Sequence, residues 1–107
     1  MINRGGENVY SVEVENVLAE HPDVLEVAVV GVPDDVMGEK VGAVVLTRPG
    51  TTLAVADLAA FARERLADYK VPQYVRVLDG PLPRNAGGKV LKGPLRTATD
   101  WTPVPRR

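Results

Sequence analysis

Cysteine is absent from this 107-residue chain, which excludes disulfides, thiolate metal sites and a cysteine nucleophile. There is a single histidine, His21, so no cluster of histidine ligands can form and no serine, histidine and acid relay can be assembled persuasively. Charge of one sign is also lacking. Thirteen basic and 14 acidic residues leave a formal net charge of −1, so no long-range field favours nucleic acid or an anionic membrane, and any phosphate binding must be local. No run of about 18 apolar residues is available to span a bilayer, and the opening Met-Ile-Asn-Arg-Gly-Gly-Glu-Asn contains no signal-peptide core. The expectation is a protein without a membrane span, residing in the cytoplasm, whose reducing conditions fit the absence of cysteine.

What is present is ordinary globular material. Hydrophobic residues make up 45% and charged residues 25%, at a length near that of one compact domain, so one core and no second domain are expected. A structured-looking motif begins at residue 2 with no lead-in, as in a chain cut from something larger.

The segment from Val12 to Glu20 places Val14, Val17 and Leu18 on one helical face, with Ser11 as N-cap and Pro22 just beyond the end. Val24 to Val32 is rich in β-branched residues and reads as a central strand. Pro33 to Lys40 carries turn chemistry, and Val41 to Thr47 returns to a β-branched run, which predicts two neighbouring strands joined by a loop of about eight residues. A second helix is expected over Val55 to Tyr69, with Leu58, Phe61, Ala62 and Leu66 in register, and a third strand over Tyr74 to Leu78. Val90 to Arg96 offers a last short helix that Pro94 weakens. The fold class read from this order is α+β: a small, mostly antiparallel or mixed three-stranded sheet with flanking helices, over residues 1–96, followed by a flexible tail over 97–107.

Two loops are left unexplained by packing. Arg84-Asn85-Ala86-Gly87-Gly88-Lys89 sets a lysine after two glycines, which allow positive φ and close backbone approach. A lysine so presented can neutralise phosphate or carboxylate oxygens. On composition alone, a flexible surface loop with a solvated lysine is the commoner explanation. A P-loop is excluded, because Pro83 stands at its first glycine and Val90 follows the lysine. Arg4-Gly5-Gly6-Glu7-Asn8 could let a ligand pass over exposed peptide groups, although by itself a glycine turn entering the first helix accounts for it. His21 reads as a helix-end residue, and Asp34 with Asp35 as a turn, since no further ligand is spaced to join them on a metal.

Taken together, residues 1–10 followed by Val12-Glu13-Val14-Glu15, then Val29-Val30-Gly31-Val32-Pro33-Asp34, Tyr69-Lys70-Val71-Pro72 and Leu82-Pro83-Arg84-Asn85-Ala86-Gly87-Gly88-Lys89 resemble one family. It is the adenylate-forming superfamily of acyl-CoA synthetases, peptide-synthetase adenylation domains and luciferases, and the resemblance is to its C-terminal lid domain alone. In that family a carboxylate attacks the α-phosphate of ATP to give an acyl-adenylate, and a thiol then displaces AMP. The resemblance makes Lys89 the adenylation lysine and assigns Gly5, Gly6, Glu7 and Asn8 to the loop lining the CoA tunnel after the lid has rotated.

It also implies ATP with Mg²⁺ and CoA as cofactors of the complete enzyme, none of them held tightly by this chain. The partner would be a large N-terminal adenylating domain that also binds the carboxylic acid, with no nucleic acid involved. The family's hinge would fall immediately before Met1, so an engineered fragment or a reading frame opened at an internal methionine is expected. Three positions depart from common relatives. Ser11 stands where many have proline, and Lys92 where arginine is frequent. Gly5 occupies the place of a second lysine in luciferase-like members, which argues against light-producing oxygenation. The leading expectation is therefore part of a fatty or aryl acid-CoA ligase, inactive alone. The alternatives are a free-standing module acting in trans on an adenylating enzyme, or the lid of a peptide-synthetase adenylation domain.

Overall fold

The computed structural model describes residues 1–104. Its first element is a hairpin of β1 (Ile2–Arg4) and β2 (Glu7–Val9), in which Ile2 faces Val9 and both are buried. Helix α1 (Ser11–Ala19) follows, burying Val14 and Leu18. Ser11 is its first helical residue instead of its cap, a place taken by Tyr10 without a side-chain bond, and the Ser11 hydroxyl is engaged elsewhere.

β3 (Val24–Asp34) and β4 (Gly38–Thr47) form a long antiparallel hairpin. The joining loop is far shorter than the eight residues expected, because Pro33–Asp34 and Gly38–Lys40 are strand. Asp34 closes the turn by accepting the N–H groups of Val36 (3.1 Å) and Met37 (2.7 Å), and Gly38 supplies the positive φ (+82°) that such three-residue turns need at their exit. The carboxyl of Asp34 is held below its ordinary range, first by the Met37 N–H and also by the Val36 N–H and the Lys40 ammonium.

Helix α2 (Val55–Arg63) crosses over the sheet and ends six residues before Tyr69; a single 3-10 turn, Asp68–Lys70, replaces its expected last part. β5 (Tyr74–Leu78) then pairs with β4 in parallel, and helix α3 (Lys92–Arg96) follows. The last element is β6 (Thr102–Pro103), antiparallel to β5. The sequence therefore underestimated the sheet. It is mixed and, among the described residues, has six strands instead of three, in the order β2-β1-β4-β5-β6 with β3 on β4. Residues 101–104, expected to belong to a tail, return to this sheet; Pro105–Arg107 lie outside the described residues.

The sheet is covered on both faces, which is why β3 reads as a nearly continuous apolar run. Alternation still assigns the sides. Val29, Val41, Ala43, Val45 and Val75 join Leu18 of α1 and Leu58 of α2 in one core; Ala28, Val30 and Val44 join Leu82, Leu95 of α3 and Trp101 in another. Fully burying Leu18 or Leu58 contributes about 1.5–3 kcal/mol each. The second core holds the segment from Leu82 to Leu95 against β3, and this segment carries one of the two candidate loops.

Candidate functional site

Arg84 to Val90 closes as a tight hairpin, with Arg84 bridged to Val90 and the Leu91 N–H donating to the Pro83 carbonyl at 2.8 Å. Asn85 organises the turn. Its side-chain oxygen accepts the N–H groups of Gly87 (2.9 Å) and Lys89 (3.0 Å), while its own N–H donates to the Lys89 carbonyl (2.9 Å) and its carbonyl accepts the Gly88 N–H (3.0 Å). Gly88 lies at φ +88°, a conformation that a side chain would strain. This is not the flexible loop that composition alone favours: both backbone groups of Lys89 are fixed, and its side chain stands exposed at the tip.

Four cations lie between residues 84 and 96, and three of them are neutralised. Arg84 pairs with Glu26 of β3 and also donates to the Gly88 carbonyl at 2.8 Å. Lys92 pairs with Glu15 of α1 at 3.0 Å and donates to the Ser11 hydroxyl at 3.3 Å; Glu15 also accepts the Val29 N–H at 2.8 Å. Arg96 pairs with Glu39 of β4 at 3.0 Å and donates to the Gly31 carbonyl at 2.8 Å. Lys89, by contrast, has no carboxylate partner among the described residues. It borders an open groove of about 840 Å³, floored by Val27, Ala28, Leu91 and Pro94.

The other candidate loop is the turn of the β1–β2 hairpin. Gly5 (φ +58°) and Gly6 (φ +91°) both occupy the left-handed region, the requirement of a two-residue primed turn. The Gly6 N–H donates to the Asn3 side chain (3.0 Å) and the Gly5 N–H to the Met37 carbonyl (2.8 Å), seating the loop on the β3–β4 turn. Arg4 is braced by Gln73 (3.2 Å) and Glu7 (3.3 Å). Gly5, Gly6, Glu7 and Asn8 are all exposed.

The structure does not bring the two loops together. Arg4 meets β4 at Gly38, whereas the Lys89 hairpin is tied to Glu26, which pairs with Leu46. Eight strand residues separate those positions, about 26 Å along β4. His21 sits past the end of α1, with its ring 5.0 Å from that of Phe61. Among the described residues no group of three or more histidine, aspartate or glutamate side chains is arranged to hold a metal ion, and no helix is long and apolar enough to cross a membrane.

Four residues important to this geometry escaped the sequence reading: Asn85 as the turn template, and Glu15, Glu26 and Glu39 as counter-charges. Asn85 had a local signal, an asparagine followed by a glycine pair. The carboxylates had none.

The model of the AMP-binding enzyme C-terminal domain family matches residues 13–89, ending on the lysine itself. This chain belongs to that family.

The domain is 56% identical over 92 residues to the 3-[(3aS,4S,7aS)-7a-methyl-1,5-dioxo-octahydro-1H-inden-4-yl]propanoyl:CoA ligase of Rhodococcus jostii (strain RHA1), covering 86% of this chain and 18% of that enzyme. It is 47% identical over 96 residues to the crotonobetaine/carnitine–CoA ligase of Proteus mirabilis (strain HI4320), covering 90% of this chain and again 18% of the enzyme. Among solved structures it superposes on ATP-bound MatB from Rhodopseudomonas palustris with a TM-score of 0.85 at 41% identity, covering 90% of this chain and 19% of the other. The chain thus spans under a fifth of the length of these relatives. It is the C-terminal domain of the acyl- and aryl-CoA ligase type.

Proposed function

We propose that this domain is the mobile part of an AMP-forming acyl-CoA synthetase acting on a fatty or aryl acid in the cytoplasm, and that it is inactive alone. Lys89 serves the first half-reaction. As the substrate carboxylate approaches the α-phosphate of ATP, two anions must come together, and an ammonium held between them offsets their repulsion, the electrostatic route to a lower barrier. Attack forms the acyl–phosphate bond and expels pyrophosphate with the electron pair of the broken bond. Gly5, Gly6, Glu7 and Asn8 serve the second half-reaction, lining the path of the CoA thiol while small residues keep it open. Mg²⁺, ATP and the acid are left to the large domain.

The observation that carries this reading is the selective pairing of the 84–96 segment. Arg84, Lys92 and Arg96 are occupied by carboxylates of the domain body, and only Lys89 is presented without one among the described residues. The separation of the two loops along β4 supports their use in alternation, by rotation of the whole domain between steps.

The test is an acyl-CoA synthetase assay with ATP, CoA and a panel of fatty and aryl acids, on this chain alone and mixed with a large domain lacking its own C-terminal domain. Activity in the mixture alone is expected. In a covalent full-length enzyme, Lys89→Ala should lower adenylation by about 10²- to 10³-fold while sparing thioester formation from supplied acyl-adenylate; equal loss of both steps would refute the assigned role. One comparison favours a second reading of the acceptor. The amide bond synthetase McbA from Marinactinospora thermotolerans superposes with a TM-score of 0.83 at 43% identity, so an amine in place of CoA belongs in the same panel.

A further inference from the structure

We propose that Asn85 is the positioning residue for Lys89, a role that rests on the reading of Lys89 given above. Lys89 is bound at both backbone groups by one residue: its N–H by the Asn85 side-chain oxygen at 3.0 Å, its carbonyl by the Asn85 N–H at 2.9 Å. The same side-chain oxygen also takes the Gly87 N–H at 2.9 Å, so Ala86, Gly87 and Gly88 are closed into a loop whose exit point is the lysine Cα. The neighbouring residue ties this loop to the domain. Arg84 donates to the Gly88 carbonyl and pairs with Glu26, connecting the hairpin to β3.

The geometry matters because a lysine side chain has four rotatable bonds, and this one is exposed, with no carboxylate partner among the described residues. The only part of Lys89 that the domain can aim is its backbone. Asn85 itself is exposed and, among the described residues, its side chain bonds only to Gly87 and Lys89 of its own turn, so its removal leaves both cores intact. Asn85 does not touch reacting atoms on this view; it acts through Lys89, and a misplacement of about 1 Å at a reacting group can cost on the order of 10²-fold in rate.

The experiment compares Asn85→Ala, Asn85→Asp, Lys89→Ala and the double variant Asn85→Ala/Lys89→Ala in the full-length enzyme carrying this domain, with the two half-reactions measured separately. Asn85→Ala should lower kcat for adenylation on the order of 10- to 100-fold with little change in the KM for ATP or acid, and should leave thioester formation from acyl-adenylate near its starting rate. Asn85→Asp keeps an oxygen in the same place and should restore the amide protection of Gly87 and Lys89, while the carboxylate it sets beside Lys89 limits recovery of the rate. In the Lys89→Ala background Asn85→Ala should cost nothing more, since it has no other route to the reaction. Amide exchange at Gly87 and Lys89 should accelerate in Asn85→Ala and not elsewhere in the domain.

An Asn85→Ala rate within about twofold of the parent, with Lys89→Ala crippled, would overturn the positioning role and leave the lysine assignment standing. An additive cost in the double variant, or equal loss of both half-reactions, would also overturn it, pointing to an independent or merely structural effect. Normal adenylation by Lys89→Ala would bring down both readings at once.

Discussion

Replacing Gly31 with alanine tests how the two ends of the domain are held in one body. A Cβ built on Gly31 would lie 2.3 Å from Glu39 Oε2 and 2.7 Å from its Cδ, so the methyl and the carboxylate cannot coexist as they stand. Glu39 in its present place accepts the Asn3 N–H at 2.9 Å and pairs with Arg96 at 3.0 Å, joining the strand before the glycine turn to the helix after the Lys89 hairpin. Driving it away forfeits the bond to Asn3, worth about 1–2 kcal/mol at a partly exposed charged acceptor. It also forfeits an ion pair worth about 0–1 kcal/mol, since Arg96 is 46% exposed. Alanine returns about 0.5–1 kcal/mol through its better strand propensity. The net expectation for Gly31→Ala is a loss of about 1 kcal/mol, the terms bounding it between about 0 and 2.5 kcal/mol, and each kcal/mol lowers the Tm of a domain this size by about 4–8 °C. Urea unfolding of this chain measures it. The decisive comparison is Glu39→Ala, in whose background the methyl enters vacated space and Gly31→Ala should become neutral or slightly stabilising. Equal cost in both backgrounds would refute the role given to Glu39.

Gly6→Leu in the full-length enzyme should spare adenylation and block thioester formation; Gly6→Ala, which carries the same backbone strain at φ +91° with little bulk, should retain more of the second step, and equal loss by both would reduce the effect to strain. Asp34 has a folded-state pKa below its ordinary value of 3.8, so its contribution to stability is present above that value and is lost as pH falls through the folded one. A carboxyl titration by NMR should show its midpoint below 3.8, and Asp34→Ala should flatten the acid limb of stability between those two values.

Much of this architecture is legible in the sequence where apolar residues are dense. Val24–Val32, Val41–Thr47 and Tyr74–Leu78 are β-branched enough to declare β3, β4 and β5, and Val14 with Leu18 declares α1. The β1–β2 hairpin is less visible because Asn3, Arg4, Glu7 and Asn8 are polar, leaving Ile2 opposite Val9 as its one apolar pair; its signal was the turn, two glycines that both need positive φ. β6 is invisible for a different reason. It is two residues long and includes Pro103, and it is placed by Trp101, whose ring lies over Gly42, where a Cβ would come within 3.0 Å of it. Lys89 and the Gly5–Asn8 loop could be located from motif order, but what isolates Lys89 could not. Glu26 meets Arg84 across 58 positions and Glu39 meets Arg96 across 57, and ion pairs of that range leave no periodicity to read.

The span of β4 between Gly38 and Leu46 has the character of a ruler. The strand between them sets how far apart the Gly5–Gly6 turn and the Lys89 hairpin sit. Adding two residues to β4, with two to β3 to keep register, would preserve the inward faces and lengthen the ruler by about 6.6 Å. Adding one would turn every subsequent side chain to the opposite face and dismantle both cores. The distance between the two loops is thus written in strand length, in steps of two residues.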